Sequence, residues 1–192
     1  MSMCEFPHVV VTGASSSAGR AVTLCLAASG YHVYAGVRAH ADGIALHQHT
    51  PPGAGVITPL LLDVSRPAQV MAAARAVTAH AGLAGLDGLV NHAGLDGTGQ
   101  RPEVNVTAEL AVTRAFVPLL CRAQGRIVMI GPPGARSTPP FASPLAAMCA
   151  TLRRELAPWN IDVVLIEPEM AAGAVARTLT ALRLRVTEGS CP

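Results

Sequence analysis

The feature that most constrains this chain is a strict alternation of short β-branched runs with longer segments of helical periodicity. His8–Thr12 (HVVVT) reads as a buried strand, and Ala18–Ser29 as a helix stopped by Gly30. His32–Val37 is a second strand. Ala41–His49 is a weak helix, ended by the Pro51-Pro52-Gly53 break, and Val56–Asp63 is a third strand. Pro67–Ala81 is a helix with Ser65 as its expected N-cap and Pro67 in its first turn. Leu86–Asn91 is a fourth strand, and Glu103–Arg122 a helix in which Pro118 is expected to make a kink or a break. Arg126–Ile130 is a fifth strand, Leu145–Ala157 a helix stopped by Pro158, and Ile161–Glu167 a sixth strand stopped by Pro168. The tail, Ala172–Pro192, begins helical. Apolar strands alternating with helices specify a doubly wound parallel sheet covered by helices on both faces, an α/β single domain over residues 1–192. The ligand crevice of such a sheet lies at the carboxyl ends of the strands, where strand order reverses.

Composition narrows the function classes. Hydrophobic residues are 51% and charged residues 14%, which argues against disorder. The formal charge of +2 is too small to suggest a nucleic-acid or anionic-membrane partner. No apolar run has the length of a membrane-spanning helix, and Met1–His8, with Glu5 and Pro7, lacks the pattern of a secretory signal. Cys4, Cys25, Cys121, Cys149 and Cys191 are scattered with no C-x-x-C pair, as expected of reduced thiols in a cytoplasmic protein.

Between the first strand and the first helix runs Thr12-Gly13-Ala14-Ser15-Ser16-Ser17-Ala18-Gly19. A small-residue loop that opens a helix presents backbone N–H groups and a positive dipole end to a pyrophosphate. The plain alternative is an ordinary serine-rich turn. At the end of the second strand stands Arg38, where an acidic residue would accept hydrogen bonds from ribose hydroxyls; an arginine suits a 2′-phosphate instead.

These motifs, in this order, resemble the short-chain dehydrogenase/reductase family, whose fold is of Rossmann type. Thr12, Gly13 and Gly19 match the family's T-G-x-x-x-G-x-G loop, with Ser17 in place of the middle glycine. Asp63-Val64 resembles its adenine-pocket pair, and Asn91-His92-Ala93-Gly94 its N-N-A-G motif with His92 as the departure. Asn105-Val106-Thr107, Gly125-Arg126-Ile127-Val128 and Leu152–Val163 continue the match, so the likeness covers about residues 8–168. The resemblance implies that Gly13, Ser15, Ser16, Ser17, Ala18, Gly19, Arg38, Asp63, Val64, Asn91, Ala93 and Gly94 form a cofactor site, with NADP(H) favoured over NAD(H) by Arg38 and Ser15. If the middle position of the loop requires positive φ or close approach of a phosphate, Ser17 is a handicap.

The family moves a hydride between a nicotinamide and a carbonyl or alcohol, with a tyrosine as general acid/base, a lysine four residues on and a serine thirteen residues before. Laid on this chain, serine, tyrosine and lysine fall on Pro132, Leu145 and Cys149, and only Asn105 matches the fourth member. Neither Tyr31 nor Tyr34 has a lysine at the required spacing. The implied function is therefore that of an oxidoreductase by family whose redox chemistry is weak or lost. Two alternatives stand beside it: a non-catalytic binder of a nucleotide, a small ligand or a sister subunit, and a non-redox cyclase or isomerase that uses the cleft as a shaped pocket. His92 is a candidate acid/base near the nicotinamide side, and Cys149 a candidate nucleophile set against the commoner inert thiol. His40, His47 and His49 lack the partners a metal site needs. The chain is shortened between Gly94 and Asn105, between Cys149 and Leu152, and after Glu169. This reduces the expected substrate lid and weakens an expected homodimer. Leu182–Val186 is the candidate remnant of the family's last strand.

Overall fold

In the computed structural model, which describes residues 6–50, 55–92, 102–131, 143–167 and 171–183, six parallel strands form one sheet in the order β3-β2-β1-β4-β5-β6. The strands are β1 His8–Val11, β2 His32–Val37, β3 Ile57–Leu61, β4 Gly88–Asn91, β5 Arg126–Ile130 and β6 Asp162–Ile166. The helices are α1 Ser17–Ala28, α2 His40–Gln48, α3 Pro67–Ala81, α4 Pro102–Ala123, α5 Pro144–Leu156 and α6 Ala171–Arg183. Strand order reverses between β1 and β4, where Val9, Val10 and Val11 pair with Gly88, Leu89 and Val90. That reversal sets the crevice at the end of β1.

Alternation along each strand sorts the core into two layers. Val10, Leu89, Ile127 and Met129 pack under α3, α4 and α5 with Phe116 and Leu120. Val9, Val11, Val90, Val128 and Ile130 pack on the other face with Val22 and Leu26 of α1 and Leu182 of α6. Strands buried on both faces explain why the sequence reads as unbroken β-branched runs rather than alternating ones.

α1 ends as expected: Gly30 takes φ +84°, and the Tyr31 and Gly30 N–H groups donate to the Leu26 and Ala27 carbonyls. Two expectations are corrected, and of the two considered at Pro118 the break is not formed. Ser65 does not cap α3: the helix begins at Pro67, so Arg66 holds the cap position, without a side-chain bond, and the Ser65 hydroxyl donates to the Asp63 carboxylate at 2.6 Å. α4 runs unbroken through Pro118, an exposed position where the lost N–H donor costs no buried bond. Leu182 is not in a strand: it lies in the last turn of α6, buried against Val9 and Gly88 side of the sheet, its apolar neighbours in helical rather than period-two register. Residues 184–186 of that expected strand lie outside the described residues.

Across the amino ends of β1, β2 and β3, against α3, sits an aromatic cluster. Tyr34, fully buried, brings its hydroxyl within 3.1 Å of Nδ1 of His8 and 3.1 Å of Nδ1 of His80. His32 stacks on the Tyr34 ring at 4.5 Å and bonds Thr58 at 2.8 Å. Among the described residues, no three His, Cys, Asp or Glu side chains are grouped to hold a metal, and no helix is long and apolar enough to cross a membrane.

Candidate cofactor and catalytic cleft

The loop after β1 is tied to its neighbours before it meets any ligand. The Thr12 N–H donates to the Val90 carbonyl at 2.9 Å, and the His92 N–H donates to the Thr12 hydroxyl at 2.9 Å, joining the ends of β1 and β4. The Ala14 N–H donates to the Gly36 carbonyl at 2.9 Å. Gly13 takes φ +65°, a conformation L side chains rarely adopt. Ser16 caps α1, accepting from the Gly19 N–H at 3.0 Å and donating to the Gly13 carbonyl at 2.8 Å. A Cβ at position 19 would stand 2.1 Å from the Gly13 carbonyl oxygen, so glycine there lets the loop close onto the helix.

Ser17 is the first residue of α1, exposed and without positive φ. The backbone handicap anticipated for it does not arise. With Ser16 capping Gly19, the Ser17 and Ala18 N–H groups remain at the helix N-terminus to face an anion. The donor set and the small side chains fit a pyrophosphate.

On the adenosine side, the Arg38 N–H donates to the Ser15 hydroxyl at 3.3 Å, so the two residues paired from sequence meet at the end of β2. Asp63 lies just past β3. Its carboxylate accepts the Ser65 N–H at 3.0 Å and lies 3.4 Å from Arg66. Burial pushes that carboxyl up, but the Ser65 bonds and the charges of Arg66 and Arg38 outweigh it and hold it below its ordinary value. Val64 is half-buried against the core. The Asn91 side chain is fully buried and faces inward, donating to the Thr113 hydroxyl at 3.0 Å and to the Met129 sulfur at 3.4 Å. It fastens α4 to the sheet, while its Oδ1 is buried without a hydrogen-bond partner among the described residues. Ala93 and Gly94 lie outside the described residues.

On the catalytic side, Ser143 caps α5 and Pro144 fills its first turn, which sets Leu145 and, one turn on, Cys149 on the buried face. Cys149 is fully buried. Burial pushes its thiol up to about 11; Arg153 pulls it down, while the charges of Glu109 and Glu167 push it further up. A thiol so placed is a poor nucleophile. His92, at the end of β4, is 6% exposed. Pro132 lies outside the described residues, as does the side chain of Asn105, whose backbone is in the first turns of α4. The chain contains no lysine at all; its fourteen basic residues other than histidine are arginines.

Sequence reasoning missed Glu109, an acid 3% exposed on α4. The signal was present: Glu109 leads the stripe Val112, Thr113, Phe116 and Leu120, spaced three, four, seven and eleven residues on, which is the buried face of an amphipathic helix. Two further concavities, of about 530 and 350 Å³, open at the amino ends of the strands around Arg126, opposite the crevice.

Comparison with known proteins agrees with this geometry. The family described as short chain dehydrogenase matches residues 7–183. Retinol dehydrogenase 5 of Mus musculus is 32% identical over 180 residues, covering 83% of this chain and 55% of its own. The NADPH-dependent 3-dehydrocapnine reductase of Ornithobacterium rhinotracheale is 30% identical over 184 residues, covering 84% of this chain and 64% of its own. The chain thus spans between about half and two thirds of the length of these relatives. Among solved structures, a metagenomic short-chain oxidoreductase in complex with NADP superposes with a TM-score of 0.73 at 25% identity, covering 92% of this chain and 90% of that one.

Proposed function

This chain belongs to the short-chain dehydrogenase/reductase family, and from that premise we propose that it binds NADP(H) in the crevice at the end of β1 while lacking the family's tyrosine–lysine route for moving a proton. Reduction of a carbonyl, or oxidation of an alcohol, is then slow. The observation that carries this reading is the contrast between the two sides of one cleft. The phosphate loop is closed by Gly13 and Gly19 and flanked by Arg38 and Ser15. On α5, the positions of the family's tyrosine and lysine hold Leu145 and a fully buried Cys149.

Each residue has a part. The Ser17 and Ala18 N–H groups and the α1 dipole would hold the pyrophosphate, and Arg38 with Ser15 the 2′-phosphate. The name of the NADPH-dependent relative and the NADP complex of the structural neighbour support that preference. The bound dinucleotide supplies or takes the hydride. Leucine has no proton to give, and a thiol raised to about 11 cannot do the electrostatic work of an ammonium group.

Calorimetric titration of the purified chain with NADPH and NADH tests the reading. We expect micromolar NADPH binding and NADH binding at least ~10-fold weaker, since each charge-assisted bond to a phosphate adds roughly 1.5–3 kcal/mol. Binding of neither dinucleotide would overturn it.

A further inference from the structure

β6 is the last strand of the sheet, and its outer edge has no partner strand among the described residues. The Gly131 N–H donates to the Ile166 carbonyl, so Ile166, Val164 and Asp162 turn their backbone groups toward β5, while Val163 and Leu165 turn theirs to the free edge. Around that edge, at the amino ends of β5 and β6, lies the concavity of about 530 Å³. Arg126 of β5, Arg153 of α5 and Asp162 of β6 line it, with Ile161, Val163 and Val164 as its apolar wall.

Two guanidinium groups are fixed on this wall. The Arg153 Nε–H donates to the Val163 carbonyl at 2.7 Å, so the edge strand itself holds the side chain. Its terminal NH2 groups have no acceptor among the described residues. Arg126, whose side chain is 11% exposed, donates from Nε to the Asp162 carboxylate at 3.1 Å and from Nη1 to the Ala181 carbonyl at 2.6 Å, with Nη2 3.0 Å from the same Asp162 oxygen. Each terminal nitrogen of Arg126 carries a second N–H, and neither has an acceptor among the described residues. Two guanidinium groups against the single carboxylate of Asp162 leave the concavity with an excess of positive charge. Trp159, the chain's one tryptophan, is 58% exposed and stands in sequence between two more lining residues, Ala157 and Asn160.

We propose that this concavity is a ligand site for a small organic carboxylate, held by the terminal N–H groups of Arg153 and Arg126, with an aromatic or branched apolar body lying on Ile161, Val163 and Val164 beside Trp159. A guanidinium offers paired N–H donors in the geometry of a carboxylate, and bonds between two charged groups are the strong ones. Sites for small ligands are concave and mostly apolar, with a few placed polar groups, in volumes of roughly 300–1,000 Å³. This concavity has room for more than a bare anion. Arg153 costs little to order on binding, because Val163 already holds it. The site is at the amino ends of the strands and the phosphate loop at the carboxyl ends, so a carboxylate and a dinucleotide can be bound together.

Phenylacetate is the probe, titrated into the full chain at pH 7 and constant ionic strength, with Trp159 fluorescence and calorimetry as readouts. Saturable binding with a Kd of ~1 mM or below is expected. Neutral phenylacetamide should bind at least ~10-fold more weakly, since it forfeits the bonds between charged groups. Arg153→Gln should weaken phenylacetate by ~10-fold or more, with the urea midpoint little changed. Asp162→Asn, which removes the competing carboxylate, should tighten it. Phenylacetate affinity should be the same with and without NADPH; a loss when NADPH is added would put the probe in the crevice and overturn the proposal. Absence of saturable binding overturns it too, as does equal affinity for the amide, or unchanged affinity in a folded Arg153→Gln chain. If Arg153→Gln does not fold, Asp162→Asn decides alone, and unchanged or weaker affinity there overturns the site.

Discussion

The backbone N–H of Arg38 donates to the hydroxyl of Ser15 across 3.3 Å, fastening the end of β2 to the loop before α1. This bond brings the base of the guanidinium side chain to the loop. Arg38→Asp should weaken NADPH by ~10–100-fold, the worth of a charge-assisted contact to phosphate, and NADH by far less. Parallel calorimetric titrations check this. Equal loss for both dinucleotides would remove Arg38 from the role.

Gly19→Ala should be costly out of proportion to one methyl group. Its Cβ would lie 2.1 Å from the Gly13 carbonyl oxygen, a backbone atom that can retreat only if the loop opens. Overpacking of this kind costs ~1–3 kcal/mol. A lower urea midpoint together with lost NADPH binding is the expected pair of results; unchanged values for both would show that the loop tolerates the group.

His32 makes the fold sensitive to acid. Burial, with the charges of His8 and His80, lowers its pKa from 6.5 to about 4. The unfolded chain therefore takes up a proton before the folded one does. Stability present above pH 6.5 is lost as the pH falls toward 4, on the order of 3 kcal/mol from this site. Urea midpoints across that range should fall, and the slope should shrink in His32→Phe, which keeps a ring against Tyr34.

Glu109 acts with the opposite sign. Its folded pKa, about 8, is above the ordinary 4.5, so its contribution is present below pH 4.5 and lost as the pH rises through 8. Glu109→Gln should then raise stability by a few kcal/mol at pH 8 and change it little at pH 4.5. Denaturation curves at the two pH values decide it; equal effects at both would mean that the carboxyl is solvated.

Cys149 should resist alkylation in the native protein, because a fully buried thiol raised to about 11 holds almost no thiolate at pH 8. Iodoacetamide labelling read by mass spectrometry should find Cys149 unmodified until denaturant is added, whereas Cys25 and Cys121 are only half-buried. Fast native labelling of Cys149 would revive its reading as a nucleophile.

Much of this architecture was legible in local sequence pattern, and the exceptions have physical causes. The six strands and the helices between them follow from β-branched runs separated by helical periods, and Gly30 and Pro67 mark helix ends. Leu182 misled because a short apolar run has no period of its own; α6 claimed it to cover the sheet near Val9 and Gly88. Ser65 looked like a cap by type, but α3 begins at Pro67, which leaves Ser65 one residue outside the cap position, with its hydroxyl donating to the Asp63 carboxylate. The loop residues Ser15 and Arg38 were paired from sequence and meet in space. Glu109 was legible only from the helix stripe it heads. The cluster of His8, His32, Tyr34 and His80 was not legible at all, since it depends on how β1, β2 and α3 are brought together.

That cluster imposes a rule on its own protons. The Tyr34 hydroxyl touches a ring nitrogen of His8 and one of His80 at the same 3.1 Å, yet it has a single hydrogen to give. At most one imidazole can receive that hydrogen, so at least one of the two rings carries a hydrogen of its own on Nδ1. The first strand of the chain and the helix that covers it are thereby joined through a single oxygen atom, and the hydrogen arrangement at His8 limits the one open to His80.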